Sequence, residues 1–108
     1  MKVFIRTSFM LACVVVAAVF VKAQQPVAGV YKTKCALCHG ATGEADTPAG
    51  KAFKVPAFSS DSVLKESDAA LLDIAKNGKG KMPAWHDKLS DDQLKSLVTF
   101  IRSLQKKS

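Results

Sequence analysis

The sequence predicts a small all-α domain organised around one five-residue stretch. Three observations carry this. Apolar residues recur at three- and four-residue steps near the end of the chain, at Leu94, Leu97, Val98, Ile101 and Leu104. A second stripe, Leu71, Leu72, Ile74 and Ala75, lies between Ser67 and Asn77-Gly78, residues that suit the start and the stop of a helix. Cys35-Ala36-Leu37-Cys38-His39 sets two thiols and an imidazole within little more than one helical turn.

Length and charge bound what can surround that stretch. The 108 residues, 48% apolar and 23% charged, allow one folded domain and argue against a disordered chain. Residues 1–23 read as a secretory signal peptide. Lys2 and Arg6 precede the apolar run Phe9 to Val21, and Val21-Lys22-Ala23 offers small residues at a cleavage point. The run falls short of the roughly 20 residues of a membrane span, which weighs against a retained anchor. Cys13 interrupts the run instead of ending it, which weighs against a lipid anchor. The domain is then residues 24–108, with 13 basic and 9 acidic side chains and a formal charge of +4, against +7 for the whole chain. Export is expected to place it in an oxidising compartment.

Cys-x-x-Cys-His is a haem-attachment pattern. Two thiols on one helix face reach two vinyl groups of one porphyrin, and the adjoining imidazole rises to the iron. A disulfide or a redox pair is the competing reading of exported cysteines, but no β-branched run precedes Cys35 as a βαβ setting would require. Zinc would need Cys35, Cys38, His39 and His86 together, with adjacent Cys38 and His39 in awkward tetrahedral geometry. Size supports haem independently, because 85 residues bury a modest core and a porphyrin would fill it.

In chain order, Pro26 suits a first helical turn, and Val27, Val30, Tyr31 and Leu37 form an imperfect stripe running into the cysteines. Tyr31, one turn before Cys35, is expected in the core, against the porphyrin or another helix. Residues 40–56, with Gly40, Gly43, Pro48, Gly50 and Pro56, read as a loop wrapping the proximal side of the haem. A metal-bound histidine usually donates its second ring N–H to an acceptor, and the Pro48 carbonyl is the candidate. Phe53, Val55 and Phe58 are expected as haem wall or core, with Ser59 to Ser62 marking a turn or helix start.

Past Gly78 comes Lys79-Gly80-Lys81-Met82-Pro83-Ala84-Trp85. Met82 is the candidate distal ligand: a soft, neutral thioether in a Gly-rich strap whose backbone Pro83 restricts, and the sole methionine beyond residue 23. His86 is the competing ligand and would make a bis-histidine centre. Trp85 either closes the haem edge with its indole N–H on a propionate or packs with that N–H on a carbonyl. The last helix opens on a capping box, Ser90 with Gln93, and a hydrophobic staple, Leu89 with Leu94.

Cys35-Ala36-Leu37-Cys38-His39-Gly40, Pro48, the strap from Gly78 to Trp85 and the closing Leu97-Val98-Thr99-Phe100-Ile101-Arg102 together resemble a small bacterial class I cytochrome c, over the whole domain. The resemblance implies crossed N- and C-terminal helices around one covalent haem c, His39 and Met82 as axial ligands, and the Pro48 carbonyl on the His39 ring. One departure is visible: such domains often carry glycine one turn before the aromatic of the first helix, where this chain has Val27.

The function expected is one-electron transfer between redox partners of a respiratory or related chain. Carboxylates are scattered and neither histidine has a nucleophile beyond the two cysteines, so a carrier is expected and not an enzyme. Lys76, Lys79, Lys81 and Lys88 flank the strap and could steer an acidic partner. A monomer is expected, meeting membranes through partner complexes, and the modest charge without a basic aromatic helix argues against nucleic acid. Two other classes stay open: a gas- or peroxide-handling haem protein with a labile sixth ligand, and a haem c subunit of a larger oxidoreductase.

Overall fold

The computed structural model describes residues 25–107. The expected signal peptide, residues 1–23, lies outside the described residues. Within them the regular elements are six helices: α1 (Val27–Lys34), α2 (Ala36–His39), α3 (Pro48–Ala52), α4 (Asp61–Leu64), α5 (Asp68–Asn77) and α6 (Asp91–Gln105). None of them is long and apolar enough to cross a membrane.

The final helix forms as its local chemistry dictates. Ser90 Oγ accepts from Gln93 N–H at 3.2 Å, and Gln93 Oε1 accepts from Ser90 N–H at 2.9 Å, so two otherwise unpaired donors are satisfied reciprocally. Leu94, Leu97, Val98 and Leu104 are buried on one face, and Leu94 is fully so. At about 1.5–3 kcal/mol for each fully buried aliphatic side chain, this face is a large share of what holds the domain together. It lies against α1 and α5. Leu89, the residue preceding the cap, joins Leu94 in the same core cluster. Ser67 caps α5 through Ala70 N–H at 3.1 Å, and Gly78, at φ +78°, ends it.

The N- and C-terminal helices meet at Tyr31 and Phe100, with ring centroids 5.0 Å apart and planes tilted by 48°. Tyr31 is 2% exposed, so its place is the core, against another helix. Val27 is half-buried at the edge of this meeting, where a cavity of about 50 Å³ is also lined by Gln25, Val30, Gln93 and Ser96. The valine at the position where glycine is common is therefore accommodated.

Three expectations need correction. Leu37 is not on the buried stripe but 76% exposed. Cys35, at φ −116°, departs from ideal helical geometry between α1 and α2, and Leu37 beyond it faces outward. Phe53, expected in the core or at the haem wall, is outside the core: it ends α3 and is 51% exposed, with the chain turning at Lys54, φ +53°. Residues 40–56 are not loop throughout, since α3 lies inside them. Thr47 accepts from Gly50 N–H at 3.0 Å and Pro48 stands at the first helical position, a cap and a proline that start a helix too short to show periodicity.

Candidate haem site

The attachment turn is built by continuing α1 past its end. Cys35 N–H still donates to Tyr31 O at 2.9 Å, and the N–H groups of Cys38 and His39 both turn back to Cys35 O, at 3.3 and 3.0 Å. Gly40, at φ +78°, then stops the helix. The carbonyls left over at this stop are taken by three separate donors. Thr47 Oγ1 donates to Cys38 O at 3.3 Å, Ala45 N–H to His39 O at 2.8 Å, and the buried Tyr31 hydroxyl to Gly40 O at 2.6 Å. The last carbonyls of a helix are its unsatisfied acceptors, so satisfying each from outside fixes where the turn ends. Gly50 permits this closeness: a Cβ there would collide with Cys38 O, which is backbone and cannot yield.

Cys35 and Cys38 are free thiols, both half-buried. Burial pushes the Cys35 thiol up to about 11, with Lys34 partly opposing, so it is protonated at neutral pH. The His39 imidazole stacks on Phe58, with centroids 4.6 Å apart and planes 20° apart. Burial lowers its pKa from 6.5, which keeps the ring neutral at pH 7 and leaves a nitrogen lone pair for a metal. Its Nδ1 is buried without a hydrogen-bond partner among the described residues. No hydrogen bond joins the Pro48 carbonyl to the His39 ring in this structure. Pro48 is exposed and opens α3, and a carbonyl at that position is directed along the helix.

The Met82 strap is a tight hairpin. Lys79 N–H donates to Met82 O at 3.1 Å and Met82 N–H to Lys79 O at 2.9 Å, with Gly80 at φ +56° in the turn between them. The strap is tied back to α5 by Trp85 N–H on Ala75 O and His86 N–H on Lys76 O, both at 3.1 Å. Cys35, Met82 and Trp85 all pack against the core cluster that contains Tyr31 and Phe58. His86 is exposed, with Nδ1 2.8 Å from Asp87 Oδ1. No group of three or more His, Cys, Asp or Glu among the described residues is placed to hold a metal ion by itself, so the four-ligand zinc arrangement does not form.

Trp85 carries a feature that sequence reading missed. Lys34 Nζ and Lys88 Nζ stand 5.5 and 5.4 Å from its ring centroid. Lys34 closes α1, far from the strap in sequence, so no local pattern pairs it with Trp85. Lys76, by contrast, is committed to Asp91 at 3.2 Å. A groove of about 650 Å³ between Glu44, Ser59, Leu64 and Leu104 contains none of the candidate ligands.

Two free thiols a helical turn apart, a neutral imidazole with an unpaired buried nitrogen beside them, and a thioether held on a hairpin make a donor set that suits covalently attached haem. An all-helical domain with such a turn is, as a class, a c-type cytochrome. Residues 22–101 match the family described as "Cytochrome C oxidase, cbb3-type, subunit III", and the chain belongs to that family. Haem c, covalently bound through its iron-containing porphyrin, is accordingly its cofactor. The chain is 34% identical over 77 residues to the "Cbb3-type cytochrome c oxidase subunit CcoP" of Azospirillum brasilense, covering 69% of this chain and 26% of that one. It is 35% identical over 72 residues to "Cytochrome c6" of Leptolyngbya boryana, covering 67% of this chain and 81% of that one. It thus spans about a quarter of the CcoP subunit but most of the cytochrome c6. The solved "KustC0563 c-type cytochrome" shares the fold, with a TM-score of 0.69 and 24% identity over 75% of this chain and 99% of that one.

Proposed function

We propose that this chain is an exported, periplasmic one-electron carrier, with His39 and Met82 as the axial ligands of its haem c. The observation that carries the reading is His39: a neutral, half-buried imidazole whose buried Nδ1 is unpaired, held on a turn whose carbonyls are each tied down from elsewhere. Haem c supplies the redox couple, one electron gained or lost at its iron. The protein's part is to hold two strong ligands still. The tied-down turn that carries His39 and the hydrogen-bonded hairpin that carries Met82 would each hold a ligand with little rearrangement, and two such ligands would leave the iron no position for a substrate. A thioether ligand favours the ferrous state and raises the potential. His86, exposed and bonded to Asp87, is poorly placed to compete.

For docking, Lys79, Lys81 and Lys88 are exposed beside the strap, and Lys34 joins them across Trp85. Lys76 contributes less, being paired with Asp91. This set suits an acidic redox partner. The similarity to part of a cbb3-type oxidase subunit favours one second reading, in which the domain serves as the haem c module of a larger oxidoreductase.

The test is the visible spectrum of the haem-loaded protein beside Met82→Ala. The sulfur-to-iron charge-transfer band of the ferric wild type is expected to vanish in the variant, and its persistence would overturn the Met82 assignment. Stable co-purification with one partner complex from native membranes would favour the module over the free carrier.

A further inference from the structure

We propose that Gln105, in the last turn of α6, is a positioning residue for His39, acting through Phe58; this rests on the reading of His39 as an iron ligand. Phe58 is clamped at both of its backbone polar groups. Its N–H donates to Gly43 O at 2.8 Å, and its carbonyl accepts from Gln105 Nε2 at 2.9 Å, from a residue 47 positions away. Its ring is confined as well. It is 7% exposed, it lies so close to Gly43 that a Cβ there would collide with it, and Tyr31 stands 6.4 Å away, centroid to centroid. Stacked on that ring lies the His39 imidazole, with centroids 4.6 Å apart and planes 20° apart. The plane of the imidazole is therefore set by the plane of Phe58, and Phe58 by the amide that holds its carbonyl.

Gln105 is in turn oriented. Arg102 Nη1 donates to Gln105 Oε1 at 3.1 Å, and a guanidinium has only donors to offer, so the amide must present its oxygen to Arg102 and its NH₂ to Phe58. Arg102 is itself held by Asp68 Oδ1 at 2.8 Å and by the Glu66 carbonyl. A chain of bonds thus runs from the start of α5 through the end of α6 to the ring stacked on His39. Partners that orient a metal ligand affect the metal's electronic properties as well as stability. In a low-spin ferric haem the direction of the imidazole plane governs how unpaired spin is spread over the porphyrin, and the four ring-methyl proton shifts report it.

The experiment uses the haem-loaded protein and two variants, Gln105→Glu and Gln105→Leu. Glutamate keeps the shape and pairs with Arg102, so the fold is retained while the donor to Phe58 is lost. Val98→Ala, on a buried residue of the same helix outside this chain of bonds, is the control for plain destabilisation. Both Gln105 variants are expected to change the spread of the ring-methyl shifts and to move the reduction potential. Val98→Ala is expected to lower Tm while leaving both as in wild type. If Gln105→Glu and Gln105→Leu keep the wild-type spread and potential, Gln105 is structural only and the proposal fails. A wild-type spectrum without a histidine-ligated low-spin haem would remove the His39 reading itself, and is seen before any variant is made.

Discussion

Gly78 and Gly80 lie two residues apart in the Met82 strap, both at positive φ, yet alanine at the two positions should behave differently. Gly78 has φ +78° and ψ 169°, a region essentially reserved for glycine, where another residue costs about 1–3 kcal/mol. A Cβ there would also lie 2.7 Å from Met82 O and 3.0 Å from Ala84 N, both backbone atoms of the strap. Overpacking of this kind costs about 1–3 kcal/mol more, so Gly78→Ala should cost about 2–6 kcal/mol. What keeps the strap closed is of similar size. Four backbone hydrogen bonds, two across the hairpin and two back to α5, contribute about 0.5–1.5 kcal/mol each. The variant is therefore expected to release the strap, losing the sulfur-to-iron band, and to lower Tm by at least about 8 °C. At Gly80, φ is +56° and nothing lies within 4 Å of an added Cβ. Gly80→Ala should cost only the left-handed backbone term, about 1–2 kcal/mol, with Met82 still in place. Ferric spectra and thermal unfolding of the two variants side by side are the assay. A Gly78→Ala protein that keeps the band and melts within about 4 °C of wild type would refute the reasoning.

Ser90→Ala removes one half of the capping box and is expected to cost about 1 kcal/mol, read as a Tm lower by about 4–8 °C with an unchanged visible spectrum. If the porphyrin completes the core, the chain made without haem attachment should show no cooperative thermal transition by circular dichroism, and a sharply melting colourless chain would contradict this. Electron transfer to an acidic partner should slow as salt rises past about 0.1 M, where charges are screened beyond roughly 10 Å, and more gently in Lys34→Gln or Lys88→Gln. A rate indifferent to salt would remove these lysines from docking.

The parts of the site legible in the chain are those whose partners are close in sequence. Cys35, Cys38 and His39 share a turn, Ser90 and Gln93 cap one another, and Gly78 stops the helix that Ser67 starts; each is a contact of three or four residues, or a single backbone preference. Where the folded chain departs from the local pattern, the reason is the same in reverse. Leu37 looked like stripe because a periodic pattern assumes one unbroken helix, and the departure from helical geometry at Cys35 is invisible to it. Pro48 reads as loop in the sequence, but Thr47 turns it into the first residue of a helix. The helix from Pro48 to Ala52 is five residues long, too short to display a period.

By itself the sequence determined the covalent chemistry, the capped helices and the candidate ligand on its glycine-bounded strap, since these depend on residue type and on spacing within a turn or two. Only the tertiary structure decided what surrounds them: the Tyr31 hydroxyl on Gly40, Thr47 on Cys38, Phe58 against the His39 ring with Gln105 behind it, and Lys34 brought to Trp85. Those pairs span nine to more than fifty positions, and which donor meets which acceptor across such a gap is set by the path of the folded chain, on which local preference has no purchase.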